Sequence, residues 1–390
     1  MPKVAVLLVG LGGATASTAV ATIRGLALSG ATPRSTTTAA AFAGLDLVDA
    51  QDMVFSGWDL SGNSVLKAVE SYGVVTASDQ LLGDELAGLV PMPGIRTRLD
   101  IPPEAGHDNI APDLPVPELT ELTARQIAAF RRDAGAGSAV VIYLGSPHAY
   151  AGDDGPARWE AADQVRDLGE NVPSSVIYAL AAARAGAHFV DFTPGMCLGV
   201  PLVRRTAVEH GVQLAGRDGS TGQTMMKHHV GELLRARGMR VRGWYSTNVI
   251  GNHDGYVLSL PQHAVVKLAD KTEGLKEILG QDHFDHQVTI DYVPEWGDSK
   301  ESWDSVLIEG WNGSTVELRL NWRGVDSMLA SAMIFDLVRL LELGGRHGRA
   351  GLQKSLGFFF KRPMGRVGRT PSELHRELVS YAQGLGEAEF

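Results

Sequence analysis

The chain has 390 residues, enough for two domains or for one large α/β domain carrying an inserted module. Its composition, 44% hydrophobic and 21% charged with 46 glycines, is that of a soluble globular protein, and a net charge of −10 argues against a general nucleic-acid or anionic-membrane binder. The single cysteine, Cys197, excludes an internal disulfide framework and a cysteine-based zinc site, which fits a reducing cytoplasm, and no apolar run reaches the length of a membrane span.

Lys3 to Val9 reads KVAVLLV, a continuous apolar run expected of a strand buried on both faces of a parallel sheet. Gly10, Gly12 and Gly13 follow, and Ala14 to Leu28 is predicted as a helix with Ala14 and Thr15 in its first turn. Strand, glycine turn and helix make the dinucleotide-binding arrangement, in which small residues let the backbone approach a pyrophosphate; the third glycine of GxGxxG is here Thr15. Met53 to Asp59, MVFSGWD, closes on a carboxylate able to accept hydrogen bonds from a ribose diol. It lies further from the glycines than the usual ~20 residues, so an insertion must intervene; the structural alternative for Asp59 is a cap for the helix starting near Asn63.

Pro91 to Leu114 reads as an irregular connection and Leu119 to Arg131 as a helix. Ser138 to Leu144 is a second buried strand, ending in GSPHAY; this puts Ser146 and His148 where open α/β sheets bind ligands, although a lone histidine there reads first as a polar loop residue. Further elements are a helix over Ser174–Ala185 and strands over His188–Phe192 and Val212–Ala215. The alternation predicts an α/β fold with a doubly wound parallel Rossmann-type sheet.

Gly216 to Gln223 is a second glycine-containing turn. Ser220, Thr221, Gly222, Gln223 and Thr224 lead into a helix running to Arg237, where backbone N–H groups can hold a phosphate. His228 and His229 lack metal-ligand spacing and read as helix-surface residues. From Val288 the pattern becomes alternating, in QVTIDYV, SVLIEGW and STVELRLNW, which predicts an antiparallel sheet and hence an inserted α+β module. A long helix follows over Ser327–Leu343. The expected domains are 1–247, 248–325 and 326–390.

Lysine is scarce and unevenly placed: of nine, none lies between Lys67 and Lys227, and six fall from Lys267 to Lys361. An arginine holds its proton at working pH, whereas a partly buried lysine can release one, so such a cluster can clamp phosphate and move protons. The plain alternative is a solvated basic face.

These motifs, taken together, resemble those of the inositol-phosphate synthases over most of the chain. LLVGLGG with Ser17 and Thr18 is similar to the family's N-terminal glycine loop, SGWD at Ser56–Asp59 to its ribose-contacting segment, and GRDGSTGQT to its GDD-x-x-SGQT turn; SxNxxGNxDG is intact from Ser246 to Gly255. Lys267 and Lys271 then fall on the family's paired active-site lysines, GDSK supplies Lys300, FFFKRP supplies Lys361, and Asp326 in VDSMLA matches an active-site acid. Departures are Thr221 for the serine of SGQT, Met225 for the lysine after it, Val266 and Asp270 for the serines before the paired lysines, and GSPHA at Gly145–Ala149 for a TANTE-like segment.

The resemblance implies an NAD-dependent, redox-neutral cyclisation of glucose 6-phosphate to inositol 3-phosphate. Lys267 and Lys361 are then expected near the C5 and C1 oxygens, and Lys271 and Lys300 at the phosphate and the C6 proton. Asp218 and Asp326 would pair with lysines, while Asp254, Asn248 and Asn252 would orient cofactor or substrate. It also implies a homotetramer built largely through the inserted module and allows a monovalent or divalent cation near the phosphate or nicotinamide, while the sequence itself shows no dedicated metal site. Open alternatives are a related cyclase closing fructose 6-phosphate to a five-membered ring, a simple NAD-dependent polyol dehydrogenase, and a non-catalytic dinucleotide-binding regulator.

Overall fold

The protein is represented by a computed structural model that describes residues 2–42, 44–76, 80–100, 107–145, 154–252, 255, 274–365 and 370–386. Two compact units emerge: Met1–Gly219 with Ser331–Gly365 and Glu377–Phe390, and Ser220–Ala330 with Arg366–Arg376.

The first unit is built on strands β1 (Lys3–Val9), β2 (Met53–Asp59), β3 (Met92–Pro93), β4 (Ala136–Tyr143), β5 (His188–Asp191), β6 (Gln213–Gly216) and β11 (Gly351–Leu352). All neighbours pair parallel, in the order β11-β6-β5-β4-β1-β2-β3. The strand order reverses between β1 and β4, the crevice where doubly wound sheets bind dinucleotides. Val4 to Leu8 are fully buried, as expected for a strand covered on both faces. The Ser174–Arg184 helix is buried from Ser174 to Ala183, which explains its alanine-rich, nearly charge-free sequence. Burial of this apolar stack, at ~25 cal/mol per Å², holds the strand ends that carry the polar groups.

The second unit contains β7 (Arg240–Ile250), β8 (Asp285–Tyr292), β9 (Ser299–Glu309) and β10 (Thr315–Val325), in the order β10-β9-β7-β8. The expected antiparallel sheet is in fact mixed. β9 pairs antiparallel with β7 and β10, but β8 runs parallel to β7. A parallel pair needs a crossover of a dozen or more residues, and the chain from 251 to 284 supplies it. The Gly222–Ala236 helix contributes Leu234, and β7 contributes Val241 and Trp244, to the same core as Val306 and Ile308 of β9. The second unit therefore starts at Ser220 rather than at 248, and Arg366–Arg376 belongs to it although the segment after 326 was expected to return wholly to the first unit. Tyr245, Trp303 and Leu307 lie exposed on the opposite face of this sheet. No helix among the described residues is long and apolar enough to cross a membrane.

Candidate functional site

In the first unit the β1 turn docks on the end of β2. Gly10 and Leu11 donate backbone N–H bonds to the Trp58 carbonyl at 2.8 and 3.1 Å, and Gly12 N donates to Asp59 Oδ2 at 2.8 Å. A β-carbon on Gly12 would stand 3.3 Å from the Asp59 carboxyl carbon, so glycine permits this approach. Asp59 Oδ1 also accepts from Ser61 N at 2.9 Å. Burial raises its pKa, and the backbone N–H groups of Ser61 and Gly12 oppose that rise. The helix that follows is capped by Ser64, so Asp59 is not its cap. The helix at Ala14 and Thr15 begins at Gly13 without a side-chain cap and without an acid in its first turn, which leaves its N–H groups directed at the turn. An uncapped helix start beside Gly10, Gly12 and Gly13, with a carboxylate at the neighbouring strand end, fits a dinucleotide. Ser146 and His148 lie outside the described residues.

At the other side of the same sheet, residues 216–219 run beside 360–364. Lys361 N donates to Asp218 O at 2.7 Å, Met364 N to Gly216 O at 3.0 Å, and Gly219 bridges Phe360 antiparallel. This pairing places Lys361 Nζ 2.9 Å from Asp218 Oδ1. Asp218 sits in the left-handed region at φ 62°, a conformation that Asp tolerates better than bulkier residues.

The second unit builds its polar groups on the covered face of the sheet and the start of the Gly222–Ala236 helix. Gly222, at φ 55°, has the conformation glycine favours, and a β-carbon there would lie 2.9 Å from Asp326 Oδ1. Thr221 occupies the cap position without a side-chain cap bond, with Ser220 before it and Thr224 in the first turn. Register explains the next pair: Gly324 lies opposite Lys300, so Asp326, two residues further on and just past the end of β10, falls diagonally from Lys300 on the same face, and Lys300 Nζ donates to Asp326 Oδ2 at 2.9 Å. The helix Asp326–Arg346 starts on this acid.

Asn248 is buried, with Nδ2 on the Thr289 carbonyl at 3.3 Å and Oδ1 without a partner among the described residues. Ser302, directly opposite, also has a buried hydroxyl without a partner among the described residues. An orphaned buried acceptor is costly unless something outside the described residues donates to it. Asn252 is engaged by protein on both sides: Nδ2 donates to Asp298 Oδ1 at 2.5 Å and Oδ1 accepts from Gly255 N at 3.0 Å. Ser327 Oγ bonds the other oxygen of Asp298, which ties the GNHDG, GDSK and VDS segments together. Lys267, Lys271 and Asp254 lie outside the described residues, as do Val266 and Asp270.

Sequence reasoning missed Asp298, Asp304 and Lys227, all buried. The signal was present in β9: Lys300, Ser302 and Asp304 share a strand face with the apolar Val306 and Ile308, a polar run on a face that must be covered. No group of His, Cys, Asp and Glu among the described residues could hold a metal ion. His229 Nδ1 lies 2.8 Å from the Met225 carbonyl on its own helix. Cys197 is a buried thiol donating to Asp191 Oδ2 at 3.1 Å.

Comparison with known proteins gives consistent relatives. A family model described as myo-inositol-1-phosphate synthase matches residues 222–327. Inositol-3-phosphate synthase 1 of Bacteroides thetaiotaomicron is 30% identical over 93% of this chain and 90% of that protein. The mouse protein named inositol-3-phosphate synthase 1 is 28% identical over 82% of this chain; the match spans only 61% of the mouse protein's length. Among solved structures, inositol-3-phosphate synthase from Caenorhabditis elegans superposes with a TM-score of 0.84 at 24% identity, covering 99% of this chain and 86% of that one. A myo-inositol-1-phosphate synthase-related protein from Thermotoga maritima gives 0.74 at 23% identity, with 98% of each chain covered.

Proposed function

From the premise that this chain belongs to the inositol-phosphate synthase family, we propose that it converts glucose 6-phosphate to inositol 3-phosphate in an NAD-dependent, redox-neutral cyclisation. One observation carries the reading: both described lysines of the family motifs are held against the aspartates of the family motifs, at 2.9 Å in each case, rather than standing solvated.

Bound NAD supplies reversible hydride acceptance, which makes a ketone at C5 available and later returns it to an alcohol. Gly10, Gly12 and Gly13 with the N–H groups of Ala14 and Thr15 would hold the pyrophosphate, and Asp59 keeps lone pairs for a ribose diol. A C5 ketone acidifies the C6 proton, and the enolate that forms closes on the C1 aldehyde. That sequence needs groups that stabilise developing oxyanions and also exchange protons. Lysine can do both where arginine cannot. In the first unit Lys361 Nζ, paired with Asp218, fills this role; in the second Lys300 Nζ, paired with Asp326, does so. Lys267 and Lys271 are assigned to the same chemistry by their motif positions. Asn248 Oδ1 is an acceptor for a ligand N–H or O–H. We assign the exposed Tyr245, Trp303 and Leu307 face to homotetramer assembly, supported by three large apolar side chains on one sheet face. We place the chain in a reducing cytoplasm, a reading that rests on a sequence with one cysteine and so without an internal disulfide framework.

The test is to incubate the purified chain and NAD with glucose 6-phosphate, and separately with fructose 6-phosphate, and identify products by NMR while following NADH. Inositol 3-phosphate without net NADH is expected. A five-membered carbocycle from fructose 6-phosphate, an alternative kept open by the departures at Met225, Val266 and Asp270, or NADH accumulating in proportion to product, would replace this reading.

A further inference from the structure

Beneath the second sheet lies a buried charge pair that the cyclisation chemistry does not use. Lys227 Nζ stands 3.6 Å from Asp304 Oδ1, an ion-pair separation longer than a hydrogen bond, and both side chains are at most 5% exposed. The ammonium also lies 5.7 Å from the centroid of the Trp244 ring. Asp304 Oδ1 accepts from Trp244 Nε1 at 2.8 Å and from Ser246 Oγ at 2.5 Å, and its other oxygen accepts from Gln223 Nε2 at 3.0 Å. Gln223 and Lys227 are one helical turn apart and so share the face turned to β9. Burial pushes the Lys227 pKa down to about 8, against the pull of Asp304.

Such a pair is a poor source of stability. Desolvating two charges offsets most of their attraction, and an apolar pair of similar volume would serve the core as well. Its effect on Gln223 is specific. An ionised carboxylate only accepts, so the amide must present its nitrogen to Asp304, and its oxygen is the end left for a ligand. A carbonyl oxygen accepts from a hydroxyl and repels phosphate oxygens.

We propose that Lys227 and Asp304 are positioning residues for Gln223: Lys227 stands as the counter-charge beside the Asp304 carboxylate, and Asp304 fixes the amide so that its oxygen receives a sugar hydroxyl, not the phosphate, of the bound substrate. The identity of that substrate rests on the glucose 6-phosphate reading above; the orientation of the amide does not. Asn at position 304 could donate as well as accept and would release the amide to flip.

The experiment is a double-mutant cycle in the full chain with NAD and glucose 6-phosphate. Asp304→Asn should lower kcat/KM about tenfold, the worth of one mis-set hydrogen bond. In a Gln223→Ala background the same change should cost less than about twofold, because the residue acts through Gln223. The paired variant Lys227→Met/Asp304→Asn removes both buried charges together and guards against a misfolded single variant; its loss should depend on Gln223 in the same way. Equal losses in both backgrounds, or no loss, would overturn the proposal. A second readout is the Gln223 side-chain amide resonance in 15N-glutamine-labelled protein, assigned by its absence from Gln223→Ala. It should move in Asp304→Asn, and an unmoved resonance refutes the positioning role whether or not the chain turns over. Absence of cyclisation by the unmodified protein, with the resonance moving as expected, would count against the substrate reading alone.

Discussion

In the first unit β1 is apolar from Val4 to Val9 and meets polar partners only beyond its C-terminal end, at Gly10–Gly13 and Asp59, whereas in the second unit β9 carries Lys300, Ser302 and Asp304 on the same covered face as Val306 and Ile308. The parallel sheet keeps its polar groups at strand ends because both faces are enclosed and an unpaired charge mid-strand would be costly. The mixed sheet has one covered face whose polar end must be satisfied internally, by Asp304 accepting from Trp244, Ser246 and Gln223. The first unit's groups therefore suit a ligand at a rim, and the second's work through a buried network.

Substitutions can break this contrast. The largest effect is expected on turnover: Lys300→Ala and Lys361→Ala should each lower kcat about 10²–10³-fold, the cost of losing one preorganised stabiliser of developing charge. Their ion pairs are about one-quarter exposed on the lysine side, so heat denaturation should register a loss of roughly 1 kcal/mol or less. Trp244→Ala should do the reverse, costing ~3–5 kcal/mol in denaturant unfolding because a fully buried indole leaves a cavity and Asp304 loses a donor. Gly12→Ala pushes a methyl against the Asp59 carboxyl; NAD affinity by calorimetry should fall about tenfold, a hydrogen-bond-sized effect, with folding retained.

The last test is pH dependence, in which the buried groups Asp191 of the first unit and Lys227 of the second should differ in sign. Burial raises the Asp191 pKa from its usual 3.8 to about 6, so the native state holds that proton more tightly, and the contribution of Asp191 to stability falls as pH rises across that window. His188, lowered to about 4 by burial, works in the opposite direction between pH 4 and 6.5, so the effect is read as the difference between Asp191→Asn and the parent. Lys227, lowered from 10.5 to about 8, binds its proton more weakly when folded; stability should rise from pH 8 to 10.5, and Lys227→Met should remove that rise. Melting temperatures across the two windows check both signs.

Strand content was legible wherever burial on both faces forces a continuous apolar run. Lys3–Val9 and Met53–Asp59 hold the bounds read from the sequence, and the Ala14 helix extends only to Ser29. That Asp218 and Asp326 pair with lysines was expected from motif resemblance, but which lysines they meet, Lys361 and Lys300, follows from strand register and was not visible. β7 went unread as a strand because its residues were taken for a polar motif, and with it went the parallel β7–β8 pair, since alternation shows which face is covered but not which strand is the neighbour.

The sequence by itself determined the parallel sheet, the two glycine turns and the family, because these rest on local spacing and on apolar runs that have one way to be buried. Only the tertiary structure decided that Asn252 is engaged with Asp298 and Gly255, that the second unit begins at Ser220, and that Lys227, Asp304 and Gln223 meet. Such contacts join residues about 80 positions apart in the case of Gln223 and Asp304, and register between distant strands, which no local pattern encodes, is what brings them together.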